Sequence, residues 1–388
     1  MTRQRFATTI TGASLLVLAL AVQGTSARVC DFLNDYPSMT VVSNQAEADA
    51  KYAGCTEIQG AVKIATDYTG RFYLPNVTTI SGGIFTYPFF YDEESYYNEA
   101  RYTPTPLLTS IEVPDLNNTH AIEIHNVPGL KTVSFPSLTI LNTSIIFTGI
   151  GDSFLDFPSL MDTKSLTITG NMTRMNFPVL ANGGHIRVSR NPTSGDYVPF
   201  EDRFLIVDRV NQISLDISFP ALQHADYINL QGNISSLSMP QLSSIGDDSY
   251  RYIRISTYGN PLDISLPSLS DLEEMTLAGT IGSISFPSLL SLERFELNTS
   301  TPLNVTLEPI NTISGPVLGN LGLYGNVTAV SMTSITKLYR VAINSNSNEF
   351  YCSSVTGDLK RSMGTRYREE AGRYSARVRA GRSTDVRY

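Results

Sequence analysis

Two neighbouring carboxylates can flank a glycosidic bond and divide the acid and base roles of its cleavage, and Gly246-Asp247-Asp248 sets such a pair side by side. The parts that would support hydrolysis are missing from the sequence around it: no Gly-His-Gly follows, and Arg254 and Ile255 lead into Ser256 rather than into a lysine. Asp is also an ordinary turn former, and that role fits both residues. No catalytic residue is assigned, and the chain is expected not to be an enzyme. Four histidines, His120, His125, His185 and His224, stand apart without Cys or acidic residues at ligand spacing, so no metal site is assigned. No glycine-rich loop follows a strand and opens a helix, and no nucleotide or other cofactor is expected.

A second concentration of chemistry is aromatic. The stretch Phe85 to Pro106 holds Phe85, Tyr87, Phe89, Phe90, Tyr91, Tyr96, Tyr97 and Tyr102 with Asp92, Glu93 and Glu94. Rings beside acids can hold sugars, but the favoured expectation is a loop folded over an apolar flank. Net charge is −8 with 28 basic and 36 acidic residues, which argues against a nucleic-acid surface. Two of the basic residues lie in 1–27, and 357–388 holds nine basic against four acidic, so the body between carries −15.

Arg3 and Arg5 precede the apolar run Gly12 to Val22, and small residues follow at Thr25, Ser26 and Ala27. These are the three zones of a secretory signal peptide, 1–27, with cleavage expected after Ala27. A membrane span would need roughly 20 apolar residues. Secretion gives meaning to eight N-x-[ST] sites, at Asn76, Asn117, Asn142, Asn171, Asn233, Asn298, Asn304 and Asn326. It also favours a disulfide between Cys30 and Cys55, leaving Cys352 without an evident partner.

These residues must be carried by a repeating scaffold. A phrase of one apolar residue, Pro, a variable residue and Leu or Val recurs at Leu74, Val113, Phe135, Phe157, Phe177, Phe219, Met239, Leu266 and Phe286, and a degenerate copy sits at Glu308. Most successive prolines are 20 to 22 residues apart, with two double steps and one 27-residue unit. Between them run alternating segments: SLTITG from Ser165, HIRVSR from His185, YINLQG from Tyr227, YIRIST from Tyr252, EMTLAG from Glu274 and RFELNT from Arg294. Apolar residues at i and i+2 mark short half-buried strands.

Such a unit cannot bury its apolar face alone and must stack on its neighbours. The sequence therefore predicts an all-β chain: a parallel β-solenoid of 20–22-residue coils over 28–356, a single domain. Ten to twelve coils would make a rod roughly 50 to 60 Å long at ~4.8 Å per strand. The basic segment 357–388 is expected to be disordered. A leucine-rich-repeat horseshoe has a similar period; it would bury Asn171, Asn233 and Asn326 in an internal ladder, where they could carry no glycan.

The early Cys pair bracketing Ser43 to Cys55, then LPNVTTISGGI from Leu74 and serial FPSL units, resembles the fungal cell-wall-organisation glycoproteins, GPI-anchored surface proteins built on a receptor L-domain-like β-helix. The resemblance spans about Cys30 to Cys352. It implies that the β-helix is right-handed, with an N-terminal cap at about 30–58 that holds a short capping helix within Ser43 to Cys55, a first coil at Gly60 to Ile64, a secreted protein at the cell surface or wall, and a non-enzymatic role in wall integrity. Cell-wall polysaccharide or wall mannoproteins are then the expected partners, with no nucleic acid. The outer face of the plasma membrane would enter only through a GPI-anchored isoform, because Gly357 to Tyr388 lacks the small residues and apolar end of a GPI signal. The alternatives are a polysaccharide lyase or hydrolase on the same fold, since Gly246-Asp247-Asp248 resembles an element of pectin-cleaving hydrolases, and a receptor-like module with a protein ligand.

Overall fold

The computed structural model describes residues 27–33, 39–86, 107–190, 214–246, 251–270, 272–313, 320–363, 376–380 and 383–387. Alternating residues drive the chain into short strands whose inner side chains need a core and whose backbone needs partners above and below. Both demands are met by stacking. The result is a parallel β-solenoid of about 11 turns.

Each coil has three sides. On the broad face, Ser165–Thr169 pairs in parallel with His185–Ser189, then with Tyr227–Gly232, Tyr252–Thr257, Glu274–Gly279 and Arg294–Thr299. A second face carries pairs such as Leu215–Ser218 with Ile234–Ser238. A narrow face carries two-residue strands such as His224–Ala225 with Ser244–Ile245. Some strands run round the corners, the longest being Ile140–Asp156. Inward residues of all three faces, among them Ile186, Ile228, Ile253, Ile217 and Leu292, join one continuous core.

The recurrent proline phrase makes the corner between the second and narrow faces. Leu160, Leu222 and Leu289 each donate the backbone N–H to the carbonyl of Phe157, Phe219 and Phe286, at 3.4, 3.2 and 3.2 Å. Proline stands second in this turn, where its fixed φ is suited and no N–H is required. The flanking Phe and Leu point inward and are buried. Where serine follows proline, its hydroxyl donates to the proline carbonyl of the preceding coil: Ser137 to Pro114, Ser159 to Pro136 and Ser288 to Pro267 at 2.6 Å, and Ser268 to Pro240 at 2.7 Å. The phrase thus encodes a turn, two core residues and an inter-coil bond in four positions. Its phenylalanines stack inside: Phe135 on Phe157 at 5.3 Å and Phe157 on Phe177 at 5.1 Å, with Phe219 tilted at 5.9 Å from Phe177.

Glycine turns the broad face into the second. Gly279 and Gly325 have φ of 101° and 86°, a region L side chains avoid. A Cβ on Gly279 would also lie 1.7 Å from the Thr257 carbonyl oxygen, and one on Gly325 2.1 Å from that of Thr299.

Helix α1 (Gln45–Lys51) closes the N-terminal end. Its first turn is a capping box: Asn44 Oδ1 accepts from the Glu47 N–H at 2.9 Å, and Glu47 Oε2 accepts from the Ser43 N–H at 2.9 Å. Beneath it Cys30 and Cys55 are disulfide-bonded, their Cα atoms 5.7 Å apart. Tyr52 packs edge-on against Phe32 at 5.8 Å.

The boundary expected at 356 falls inside helix α2 (Cys352–Met363), and the tail expected to be disordered carries that helix and then strands at Ala376–Ala380 and Ser383–Arg387. Val355, Leu359 and Met363, spaced i, i+4, i+8, are all buried; the charge of the segment had hidden this apolar stripe. Helix α2 is tied to Met332, whose N–H donates to Asp358 at 3.3 Å and whose carbonyl accepts from Arg361 at 3.1 Å. Ala376–Ala380 extends the broad face in parallel and Ser383–Arg387 then pairs antiparallel. The horseshoe is set aside, since the described parts of the coils are all-β and Asn171, Asn233 and Asn326 lie outside the core.

Candidate functional site

None of the eight sequon asparagines is buried. Asn76, Asn117, Asn142, Asn171 and Asn304 are exposed, and Asn233, Asn298 and Asn326 are half-buried. Asn171, Asn233 and Asn326 each follow a glycine of positive φ, Gly170, Gly232 and Gly325, at the same corner of different coils. Asn76 itself adopts a φ of 64°, a turn conformation that Asn tolerates. Asn142 Nδ2, the atom a glycan would occupy, donates to Asn118 Oδ1 at 3.2 Å in the free side chain.

The other residues singled out from sequence are dispersed differently than expected. Asp247 and Asp248 lie outside the described residues, as do 87–106 of the aromatic insertion and 1–26 of the signal segment. His120 is exposed, whereas His125 is buried, its Nδ1 2.8 Å from Thr148 Oγ1, and burial drives its pKa down to about 4. Cys352 is a free, half-buried thiol that burial pushes up in pKa. His185 and His224, far apart in sequence, meet at one carboxylate: His185 Nε2 is 3.8 Å and His224 Nε2 3.5 Å from Asp226. Among the described residues no group of three His, Cys, Asp or Glu is placed to hold a metal ion, and no helix is long and apolar enough to cross a membrane.

Around that meeting point the broad face carries ordered columns of half-buried aromatic and charged side chains. Parallel register places His185, Tyr227 and Tyr252 in one outward column. Their rings stack at 4.5 Å with 21° between planes and at 4.9 Å with 13°. On one side the column runs into Ser165 and Ser144, too small to cover the imidazole, and on the other it continues into Glu274 and Arg294. Beside it runs a second outward column of Arg187, Asn229 and Arg254. The Arg254 guanidinium lies 4.2 Å over the Tyr252 ring and 3.3 Å from Glu274, whose other oxygen is 3.2 Å from Arg294. Side-chain exposure falls from 40% at His185 through 30% at Arg254 and 20% at Glu274 to 10% at Arg294. The accessible end is therefore the His185–Tyr252 end.

Arg187 differs from its neighbours in making no ion pair among the described residues, and its Nε is buried without a hydrogen-bond partner. Burial raises the Tyr252 hydroxyl above the usual phenol range; Tyr227 adds to this, while Arg254 and Arg187 oppose it. The phenol stays protonated and able to donate.

A hydroxyl, an imidazole and a carboxylate also line up here, because Ser244 Oγ is 2.9 Å from His224 Nδ1. That contact follows from register, since His224 and Ser244 are partners in adjacent coils. An acyl-transfer site also needs free N–H donors for the developing oxyanion. The Ser244 and Gly246 N–H groups are already given to Gln223 and Ala225 carbonyls.

No family model, curated protein or solved structure matches the chain. The outward column was nonetheless written in the sequence: the first residues of the six alternating runs are Ser165, His185, Tyr227, Tyr252, Glu274 and Arg294. Reading each run for its inward residues alone passed over it.

Proposed function

We propose that the chain is a secreted, N-glycosylated β-solenoid that acts without catalysis at the cell surface, contributing to the organisation and integrity of a fungal-type cell wall through contact with wall polysaccharide or mannoprotein. The observation that carries this reading is the placement of all eight sequon asparagines outside the core. A glycan needs an accessible Asn side chain, and all eight sites meet that requirement, three of them at one repeated corner of the coil. The motif resemblance over Cys30 to Cys352 supplies the cell-wall context. The test is glycopeptide mapping of the protein secreted from a fungal host. Glycan is expected at Asn171, Asn233 and Asn326 and at most of the other five; bare asparagine at all eight sites, or retention of the chain inside the cell, would overturn the reading.

The grouping of His185, His224 and Asp226 favours one second reading, a carbohydrate-active enzyme on the same fold. Release of reducing ends or unsaturated products from β-glucan, chitin, mannan or pectin would establish it in place of the first.

A further inference from the structure

We propose that the outward columns His185–Tyr227–Tyr252 and Arg187–Asn229–Arg254 form a binding face for an acidic polysaccharide, with the Arg187 guanidinium holding a sugar carboxylate. This deepens the non-catalytic polysaccharide-contact reading and rests on it.

Three observations select the ligand class. The first is charge. The body carries −15, an unfavourable field for any anion, yet this face presents Arg187 without a carboxylate partner among the described residues. Arg254 is tied to Glu274, and Asp226 stands between the two histidines. Arg187 is therefore the cation left to pair with something that the described part of the chain does not supply, and a guanidinium recognises carboxylate with a bidentate fork.

The second is the kind of aromatic surface. Rings stacked on one another have used their faces, so the Tyr227 and Tyr252 rings turn their edges outward. The Tyr252 hydroxyl is set beside the Asn229 amide of the adjacent strand and the Arg254 guanidinium. That is a row of hydrogen-bonding groups suited to sugar hydroxyls. One ring face remains, that of His185 over Ser165, where a sugar ring can stack.

The third argues against a peptide. Strand addition requires unpaired backbone at an edge, but these strands lie within the stack and are paired on both sides. The inward residues leave no apolar pocket between the columns, since Ile186, Ile228 and Ile253 are fully buried. A flat, long, hydroxyl-rich anion fits. No sequon lies in either column across these three coils; the nearest, Asn171 and Asn233, sit at the corner, so glycans would border the face without covering it.

The experiment measures binding of the full-length glycoprotein to polygalacturonate, to neutral mannan and β-glucan, and to poly-glutamate, using wild type, R187Q, Y252F and the remote surface variant K131Q. Thermal unfolding serves as the fold control. Wild type and K131Q should bind polygalacturonate in a salt-weakened manner. R187Q should weaken that binding about tenfold, the loss of one charge-assisted hydrogen bond. Y252F keeps the ring stack and should weaken it by a smaller factor, and it carries the test should R187Q fail to fold. Neutral-glycan binding with no response to R187Q or Y252F, or poly-glutamate binding as tight as polygalacturonate, would overturn this site while leaving the polysaccharide-contact reading intact in the first case. Binding to none of the polysaccharides would overturn both.

Discussion

The solenoid holds two aromatic ladders built by the same register, one inside and one outside. Phe135, Phe157 and Phe177 stack at 5.1–5.3 Å with no access to solvent. His185, Tyr227 and Tyr252 stack at 4.5–4.9 Å on the broad face. Inside, the proline phrase demands an apolar side chain, because its first residue is the core residue that each turn delivers, and Phe fills that place in these coils. Outside, the repeat demands no particular residue type, and the same column holds Ser165 one coil earlier and Glu274 one coil later. A repeat fixes its inner columns and leaves its outer ones free, so an ordered outer column is where function is to be sought.

The sharpest way to break this contrast is to remove a ring from the inner ladder. Phe157→Ala deletes a side chain stacked on both sides and should cost about 3–5 kcal/mol, read as a shift of the denaturant midpoint. A cost near that of a surface substitution would show that the inner ladder is not structural.

A second test concerns the outer face itself, which is closed in the early coils, where Ala61, Phe85, Ala121 and His125 are buried. Burial lowers His125 from 6.5 to about 4. Above pH 6.5 the ring is neutral in both folded and unfolded chains, and its effect on stability is fully favourable. As pH falls from 6.5 toward 4 the unfolded chain binds a proton that the folded chain refuses, so stability is lost over that window, by about 3 kcal/mol at most. His125→Gln should flatten this dependence between pH 7 and 5 in thermal unfolding. An unchanged slope would assign the loss to other groups.

Third, Tyr227→Ala removes the centre of the outer ladder and should cost only ~0.5–1.5 kcal/mol, the scale of aromatic pairs on a sheet surface. A loss matching that of Phe157→Ala would erase the distinction between the ladders. Smallest is the serine of the proline phrase: Ser159→Ala removes its bond to the Pro136 carbonyl and should cost about 1 kcal/mol, measurable by the same denaturant titration.

Much of this architecture could be read before any coordinates. The spacing of Pro136, Pro158 and Pro178 fixed the coil length, and Leu166 with Ile168 or Ile228 with Leu230 fixed which side of each strand faces inward. Those patterns survive in sequence because burial imposes them in every coil. The end of the solenoid was less legible, since charge at Lys360 and Arg361 masked the stripe of Val355, Leu359 and Met363. The binding face was hardest, because His185 and Tyr227 are separated by a double-length step in the repeat. Only register across that step shows that they are neighbours, and only the geometry shows that Asp226 links His185 to His224. The hydroxyl donated by Ser137, Ser159 and Ser288 was visible as a conspicuous letter of the phrase, but its acceptor on the preceding coil was not.

The central claim is that this molecule holds polysaccharide on an ordered face and does not cut it. The most direct measurement is a titration of the purified glycoprotein with polygalacturonate in which bound polymer and newly formed chain ends are followed in the same samples. The account predicts saturable binding with no increase in reducing or unsaturated ends over prolonged incubation. Chain ends that accumulate in proportion to enzyme and time, or an absence of binding at every concentration, would contradict it.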